Sequence, residues 1–277
     1  MKSRADRSWQ ELSHALLANP ANASLQIAVL AAHPDDETIG ASSWLARFPS
    51  TTVLYLTDGA PRDSKLWSPE FRGARAEYAS LRRAEAGRAL HIAGVSPRHI
   101  HWLGAVDQEA ILSAGDLARS LAELLTRLEP DILITHPYEG GHPDHDTGSL
   151  IARLATTSMD SEQAPLLVEM TSYHARHCQC ITGEFLNSRT EEVICIDLSP
   201  VERERKRSMF AAYGSQKLVL SSFGTDREHF RKAPHYDFSR PPHEGKLWYE
   251  CMGWAMTGKQ WRALAAQCMA QREYACH

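Results

Sequence analysis

Leu25-Gln26-Ile27-Ala28-Val29-Leu30-Ala31-Ala32-His33-Pro34-Asp35-Asp36-Glu37 is the stretch that decides how this chain folds. From Leu25 to Ala31 it is apolar but for Gln26, the pattern of a strand buried on both faces. A polar corner follows at once, His33 to Glu37, and opens a helical pattern that runs from about Glu37 to Phe48. A doubly buried strand that hands over to a helix through a polar corner is the first half of a βαβ unit.

The same alternation continues outward. Thr52 to Thr57 (TVLYLT) reads as a second strand closed by Asp58-Gly59, and helical periodicity runs from about Glu70 to Ala93. His99 to Leu103 is a third strand, about Asp116 to Leu128 a helix, Asp131 to Thr135 a fourth strand and His145 to Met159 another helix. Strand and helix in strict turn predict a mostly parallel sheet covered on both faces, with right-handed crossovers. The expected fold is therefore α/β, a three-layer Rossmann-like core.

Past residue 160 the pattern loosens. Leu166 to His174 and Val193 to Leu198 read as strands. Ser199-Pro200-Val201-Glu202 combines a capping serine, a proline at the first helical position and a glutamate three residues on, so a helix starts there and runs to about Tyr213. Arg240-Pro241-Pro242 interrupts regular structure, and Trp261 to Glu273 closes the chain as a helix. Without a linker, residues 1–277 read as one domain, with a core over about 20–200 and an irregular C-terminal elaboration over about 200–277.

Composition excludes several functions. Thirty basic residues against thirty-four acidic ones give a net charge of −4, and no basic face for nucleic acid emerges. Arg203, Arg205, Lys206 and Arg207 alternate with Glu202 and Glu204, as on a solvated helix face. No apolar run approaches the roughly 20 residues that span a bilayer. The charged N-terminus lacks the apolar segment of a signal peptide. A cytoplasmic location follows as the expectation. The six cysteines (Cys178, Cys180, Cys195, Cys251, Cys268 and Cys276) are then expected to be free, small apolar residues. Self-association is left open.

Two segments carry chemistry: His33-Pro34-Asp35-Asp36-Glu37 after the first strand, and His142-Pro143-Asp144-His145 a few residues past the fourth. Both open helices at the carboxyl ends of strands, where open α/β sheets bind ligands. The residue types suit a zinc ion: His33, Asp36 and His145 supply three ligands and leave a position open for water. Asp35, beside a ligating carboxylate, is placed to accept a proton from that water, whose pKa zinc lowers from about 15.7 towards about 7. His142 is a spare imidazole; paired with Asp144 it is expected to be protonated, to stabilise an oxyanion and to donate a proton to a leaving amine.

At these residues the chain resembles the PIG-L / LmbE-like family of zinc-dependent N-deacetylases. Its AHPDDE signature stands at Ala32 to Glu37 and its HPDH signature at His142 to His145. Thr57-Asp58-Gly59-Ala60, Arg83-x-Glu85, Leu103-Gly104 and Lys206…Tyr213-x-Ser215-Gln216 are similar too. The resemblance implies a Rossmann-like fold, the same roles for His33, Asp36 and His145 (one zinc per chain), Asp35 (base), His142 (acid and oxyanion partner) and Asp144 (tuning), and N-acetylglucosamine-containing substrates. Some members carry a tyrosine near the second signature that binds the substrate carbonyl; the nearest here is Tyr138.

The reaction so read removes an N-acyl group, most simply acetyl, from an amino sugar or its conjugate. The alternative is an amidase or esterase acting on a different conjugate through the same site. Arg62 and Asp107, just past predicted strand ends, and Tyr236 and His243, in the aromatic stretch 231–253, are candidate substrate contacts beside Tyr138. His174-Ala175-Arg176-His177-Cys178-Gln179-Cys180 also has soft, closely spaced ligand types. In a strand its histidines would diverge, so ordinary loop residues are the better reading. No Gly-rich dinucleotide fingerprint, phosphate loop or GxSxG elbow occurs.

Overall fold

A computed structural model describes residues 25–186 and 193–275. The first half alternates as the apolar runs require: β1 (Ile27–Ala31), α1 (Asp36–Arg47), β2 (Thr52–Thr57), α2 (Arg75–Ala93), β3 (Ile100–Ala105), α3 (Ala114–Leu128), β4 (Ile132–Thr135), α4 (Pro143–Thr157) and β5 (Leu166–Met170). Then come β6 (Tyr173–Arg176), β7 (Gln179–Thr182), β8 (Val193–Asp197), α5 (Pro200–Ala212), α6 (Lys217–Leu220), β9 (Arg227–Lys232), α7 (Trp248–Cys251) and α8 (Gly258–Ala275).

Seven strands form one sheet in the order β3-β2-β1-β4-β5-β9-β8. The first five pair in parallel, and β9 and β8 add antiparallel at one edge. Every residue of β1, β2 and β4 is buried, as their apolar runs demand. The core is accordingly double. On one face Trp44, Leu45, Leu90, Met209 and Phe230 pack against the sheet; on the other Leu117, Leu121, Leu125, Ile151 and Trp261 do. No described helix is long and apolar enough to cross a membrane.

The sheet places the site. Strand order reverses at β1, so β1 and β4 lie side by side while their following helices leave on opposite faces. The crevice opened at their carboxyl ends receives both polar corners.

Three expectations change. The long strand from Leu166 to His174 is two: β5 stays in the main sheet, and β6 pairs with β7 as a separate hairpin. Thr171 and Ser172 break the run because Ser172 turns its hydroxyl to within 3.3 Å of His145 Nδ1 and accepts the Gly183 N–H. The second helix starts at Arg75, five residues later than its periodicity suggests. Pro69 and Gly73 precede it, and Glu77 accepts the Ala74 N–H at 2.7 Å to close its first turn. Finally β9, from the expected C-terminal elaboration, inserts between β5 and β8 in the main sheet.

The cysteines depart furthest from expectation. Among the described ones only Cys268 is both outside a disulfide and buried, while Cys180 and Cys195 are exposed; Cys276 lies outside the described residues. Cys178 and Cys251 are disulfide-bonded, with Cα atoms 5.6 Å apart. The hairpin explains this. His177 and Cys178 both take left-handed backbone (φ 53° and 56°), the tight turn that joins β6 to β7 and carries Cys178 to the end of α7. The His174–Cys180 segment makes no ligand cluster: His174 pairs with Ile181 and Cys180 with Ala175, so their side chains leave opposite faces.

Candidate active site

The corner between β1 and α1 is held under strain. Asp35 has φ 127°, outside the regions open to a side-chain-bearing residue. Its surroundings over-determine it. The Asp35 N–H donates to Glu37 Oε2 (3.1 Å), Arg82 donates to the Pro34 carbonyl, and Arg82 Nη2 donates to Asp35 Oδ2 (3.0 Å). Glu37 is itself clamped by the hydroxyls of Tyr213 and Thr38, each at 2.6 Å. Burial raises Asp35 to about 7; Arg82 pulls it down and Asp36 pushes it up.

Asp36 faces three imidazoles. Its Oδ2 accepts the His33 N–H (2.8 Å) and lies 3.2 Å from His33 Nδ1; its Oδ1 lies 3.2 Å from His145 Nε2. Burial would raise Asp36, yet the imidazoles of His145 and His136 outweigh it and hold the carboxyl well below its usual range. Burial also pushes His145 down to about 4, against the pull of Asp36, so its ring is neutral. With Ser172 on Nδ1, His145 Nε2 has no hydrogen-bond partner.

That arrangement fits a cation. The donor atoms of His33, Asp36 and His145 all lie within 4.8 Å of one another. Tetrahedral ligands about 2.0–2.1 Å from zinc sit about 3.3 Å apart, and the two Asp36–imidazole separations are 3.2 Å. His145 Nε2 and Asp36 Oδ1 face each other in a buried space without an aligned hydrogen bond, an arrangement that a shared cation would satisfy. The residues present therefore fit a divalent metal.

Asp144 has a different place from the one expected. Its Oδ2 is 3.2 Å from His33 Nε2 and accepts the Gln108 N–H at 2.6 Å, while its Oδ1 accepts the Ala110 N–H at 3.2 Å. It thus orients His33, as carboxylates behind metal-binding histidines do. Its carboxylate is 3.9 Å from His142 Nδ1, which instead accepts the Asp144 backbone N–H (3.1 Å) and caps α4. Burial and the neighbouring His33 and His145 push His142 well below its ordinary value, so the expected imidazolium is a neutral ring. With Nδ1 an acceptor, the proton sits on Nε2, which faces Asp107 Oδ1 at 3.8 Å. Burial lowers His33, but Asp107, Asp144 and Asp36 around it prevail and raise it well above its usual value.

The cavity over these groups encloses about 240 Å³ and is lined by His33, Asp35, Asp36, Arg82, Asp107 and His142 among others. Of the candidates from sequence, the structure brings His33, Asp35, Asp36, Asp107, His142, Asp144 and His145 together. Arg62 stands outside, 66% exposed and paired with Glu109 at 2.6 Å. Three candidates lie elsewhere. Tyr138 donates to the Arg240 carbonyl and packs on Trp261, Tyr236 donates to Glu169, and His243 borders a separate cavity beside Cys178. Tyr138 and Tyr236 are drawn away because each buried hydroxyl needs a partner, and they find the Arg240 carbonyl and the Glu169 carboxylate of β5.

The sequence reading missed Arg82, His136, Tyr173 and Trp254. Arg82 was adjacent to a quoted pattern: the buried arginine that meets Asp35 and Glu85 is Arg82, whereas Arg83 stacks on Trp102 with its guanidinium 4.4 Å from the ring centre. His136 repeats the His-Pro pair of the two motifs. It accepts the Ala32 N–H at 3.0 Å, and its ring stacks on His145 at 4.0 Å. Tyr173 and Trp254 lie 5.1 Å from the His145 ring and 4.8 Å from the His142 ring, with no local signal to announce them. In the Lys206…Gln216 stretch Lys206 pairs with Glu228 under α1, Ser215 and Gln216 hold Glu85 and Tyr78, and Gln216 also lines the cavity.

Residues 28–156 match the PIG-L family, described as GlcNAc-PI de-N-acetylase. A mycothiol S-conjugate amidase of Streptomyces coelicolor is 26% identical over 172 residues, covering 54% of this chain and 58% of the relative. A 1D-myo-inositol 2-acetamido-2-deoxy-alpha-D-glucopyranoside deacetylase of Corynebacterium diphtheriae is 28% identical over 152 residues, 47% of this chain and 51% of the relative. The matched stretch thus spans about half the length of these curated relatives. A crystal structure of a deacetylase from the biosynthesis pathway of teicoplanin, in a bog complex, superposes with a TM-score of 0.58 at 16% identity, over 76% of this chain and 99% of that one. At that identity the likeness shows a shared fold.

Proposed function

Residues 28–156 belong to the PIG-L family, and from that premise we propose that the chain is a zinc-dependent hydrolase that removes an N-acyl group, most simply acetyl, from an amino sugar or its conjugate. The observation that carries the reading is the convergence of His33, Asp36 and His145 around a buried Nε2 without a partner, with Asp35, held by Arg82, beside them. His33, Asp36 and His145 would hold the metal, which supplies Lewis acidity to the amide carbonyl and a water of lowered pKa.

The chain's own residues do the rest. Asp35, aimed by Arg82, takes the proton of the attacking water as the carbonyl carbon becomes tetrahedral. The Nε2–H of neutral His142 donates a hydrogen bond to the developing oxyanion. Asp35 then returns its proton to the nitrogen as the C–N bond breaks, which releases carboxylic acid and amine; the acid's proton passes to the amine, so the products leave as carboxylate and ammonium. Water is consumed, and no group on the protein changes charge over the cycle. Asp107 lies against His33 and His142 on the cavity wall, where it can accept from a sugar hydroxyl.

The relative that is an amidase supports a second reading, cleavage of an amide in a larger amino-sugar conjugate by the same groups. The test is amine release from N-acetylglucosamine derivatives by protein stripped with a chelator and reloaded with zinc. Asp35→Asn should keep one zinc per chain and lose about 10²–10⁴ in turnover, while His145→Ala should lose the zinc itself. An Asp35→Asn protein as fast as the parent would remove Asp35 as the base.

A further inference from the structure

The groups assigned to metal, base and oxyanion all lie within residues 28–156, but other walls of the cavity over them come from farther along the chain. Tyr173 stands on β6, and Met252 and Trp254 follow directly on α7. These two elements are joined covalently, by Cys178–Cys251.

Three features set this bridge apart from a buried staple. Cys178 is exposed and Cys251 half-buried, so solvent reaches the bridge. Cys178 also lines a cavity of about 260 Å³, with Arg176, His177, His243 and Lys246 around it, which leaves room for a small molecule beside the sulfur. The turn that presents Cys178 suits its residues poorly. His177 and Cys178 are both left-handed, at positions where glycine or asparagine is favoured. Such a conformation persists only while its surroundings impose it. The hairpin behind it has two strands, a unit that is marginal unless packed or tied.

We propose that Cys178–Cys251 is a thiol-exchange site: a low-molecular-weight thiol attacks Cys178 from this cavity, and opening the bridge loosens Tyr173, Met252 and Trp254 around the candidate site. The incoming thiolate forms a new S–S bond to Cys178; the old bond breaks, and Cys251 leaves as a thiolate that takes up a proton. A second thiol then displaces Cys178. Two thiols are thereby oxidised to one disulfide, and the bridge is reduced to two thiols. In reducing compartments, bridges are usually of this transient kind. The exchange is independent of the deacylase reading; only its effect on turnover rests on that reading.

The test treats the zinc-loaded full chain with reduced glutathione. The Cys178→Ala, Cys251→Ala double variant controls for zinc taken up by the thiol. Samples quenched early with N-ethylmaleimide should carry glutathione on Cys178 and maleimide on Cys251, and later samples maleimide on both. Hydrogen exchange over residues 173–182 and 248–256 should quicken at least about tenfold on opening. For N-acetylglucosamine derivatives, kcat/KM should fall about tenfold in the parent, recover with oxidised glutathione, and stay fixed in the double variant. Early glutathione on Cys251, a bridge that survives excess glutathione, or unchanged hydrogen exchange would overturn the proposal. Equal losses of activity in parent and double variant would trace the loss to zinc and overturn the coupling to the site. Should no substrate release amine, the deacylase reading fails, while the mass and hydrogen-exchange results still decide the exchange site.

Discussion

Replacing Cys178 and Cys251 together by alanine cuts the covalent link between the β6–β7 hairpin and the segment that carries Met252 and Trp254 into the candidate site. The bridged residues are 73 apart in sequence. Closing a loop of that length costs the unfolded chain about 15 cal/mol/K, so the bridge is worth about 4 kcal/mol at 25 °C. For a protein of this size that corresponds to a fall in melting temperature of roughly 10–15 °C. The effect also reaches the site, because Trp254 packs 4.8 Å from the His142 ring and loses its anchor. Thermal melts of parent and double variant, each with and without reductant, make the comparison; reductant should lower the parent to the variant and leave the variant unmoved. Thiol titration of the denatured, unreduced protein should find two groups fewer than the same titration after full reduction. Equal counts, or a variant that melts with the parent, would refute the reasoning. The same titration bears on location, because free cysteines were expected from a reducing cytoplasm and bridges persist in oxidising compartments.

Gly141→Ala should be severe, since a Cβ there would stand 2.0 Å from the Tyr173 carbonyl oxygen. We expect a loss of about 3 kcal/mol in denaturant melts and weakened zinc binding as the 140–142 turn shifts. Arg82→Met should leave zinc stoichiometry intact, lower kcat by about 100-fold with little change in KM, and cost roughly 3 kcal/mol of stability, because it strips one partner from a buried ion pair. An unchanged kcat would show that Arg82 does not position Asp35. Away from the site, burial pushes Glu139 up to about 8 and Glu169 to about 7, with Arg231 between them opposing both shifts. The folded protein then binds more protons than the unfolded chain between pH 4.5 and about 8. Stability should therefore fall as pH rises through that window, by at most about 1.4 kcal/mol per pH unit for each group. Arg231→Met should extend the fall to higher pH, because both carboxyls lose the charge that lowers them, and a flat profile for both proteins would contradict the assigned burial effect.

Local pattern determined much of this molecule. Leu25 to Ala31 and Thr52 to Thr57 could only be strands covered on both faces, because exposing such runs to water is unfavourable. Their alternation with amphipathic helices implies the parallel sheet, and with it the crevice where β1 and β4 end. The motif residues at those ends were legible for the same reason: a polar corner placed after a buried strand has one place to go. Ser199, Pro200 and Glu202 marked a helix start through chemistry confined to four neighbouring residues.

Tertiary structure alone decided what depends on distant partners. Asp144 could have served His142, its near neighbour in sequence; in the fold its carboxylate turns to His33, 111 positions away. His142 lost its expected charge because burial among other imidazoles opposes a second proton. Tyr138 and Tyr236 turned from the site to the Arg240 carbonyl and the Glu169 carboxylate, and Arg82 rather than Arg83 met Asp35 because only one of two adjacent helix positions faces inward. Cys178 met Cys251 through a left-handed turn that no spacing announces. Periodicity records which way a side chain faces its own element's surroundings. It holds no record of which distant group waits there, and the hydrogen bonds, protonation states and bridges of this site are all set by that second fact.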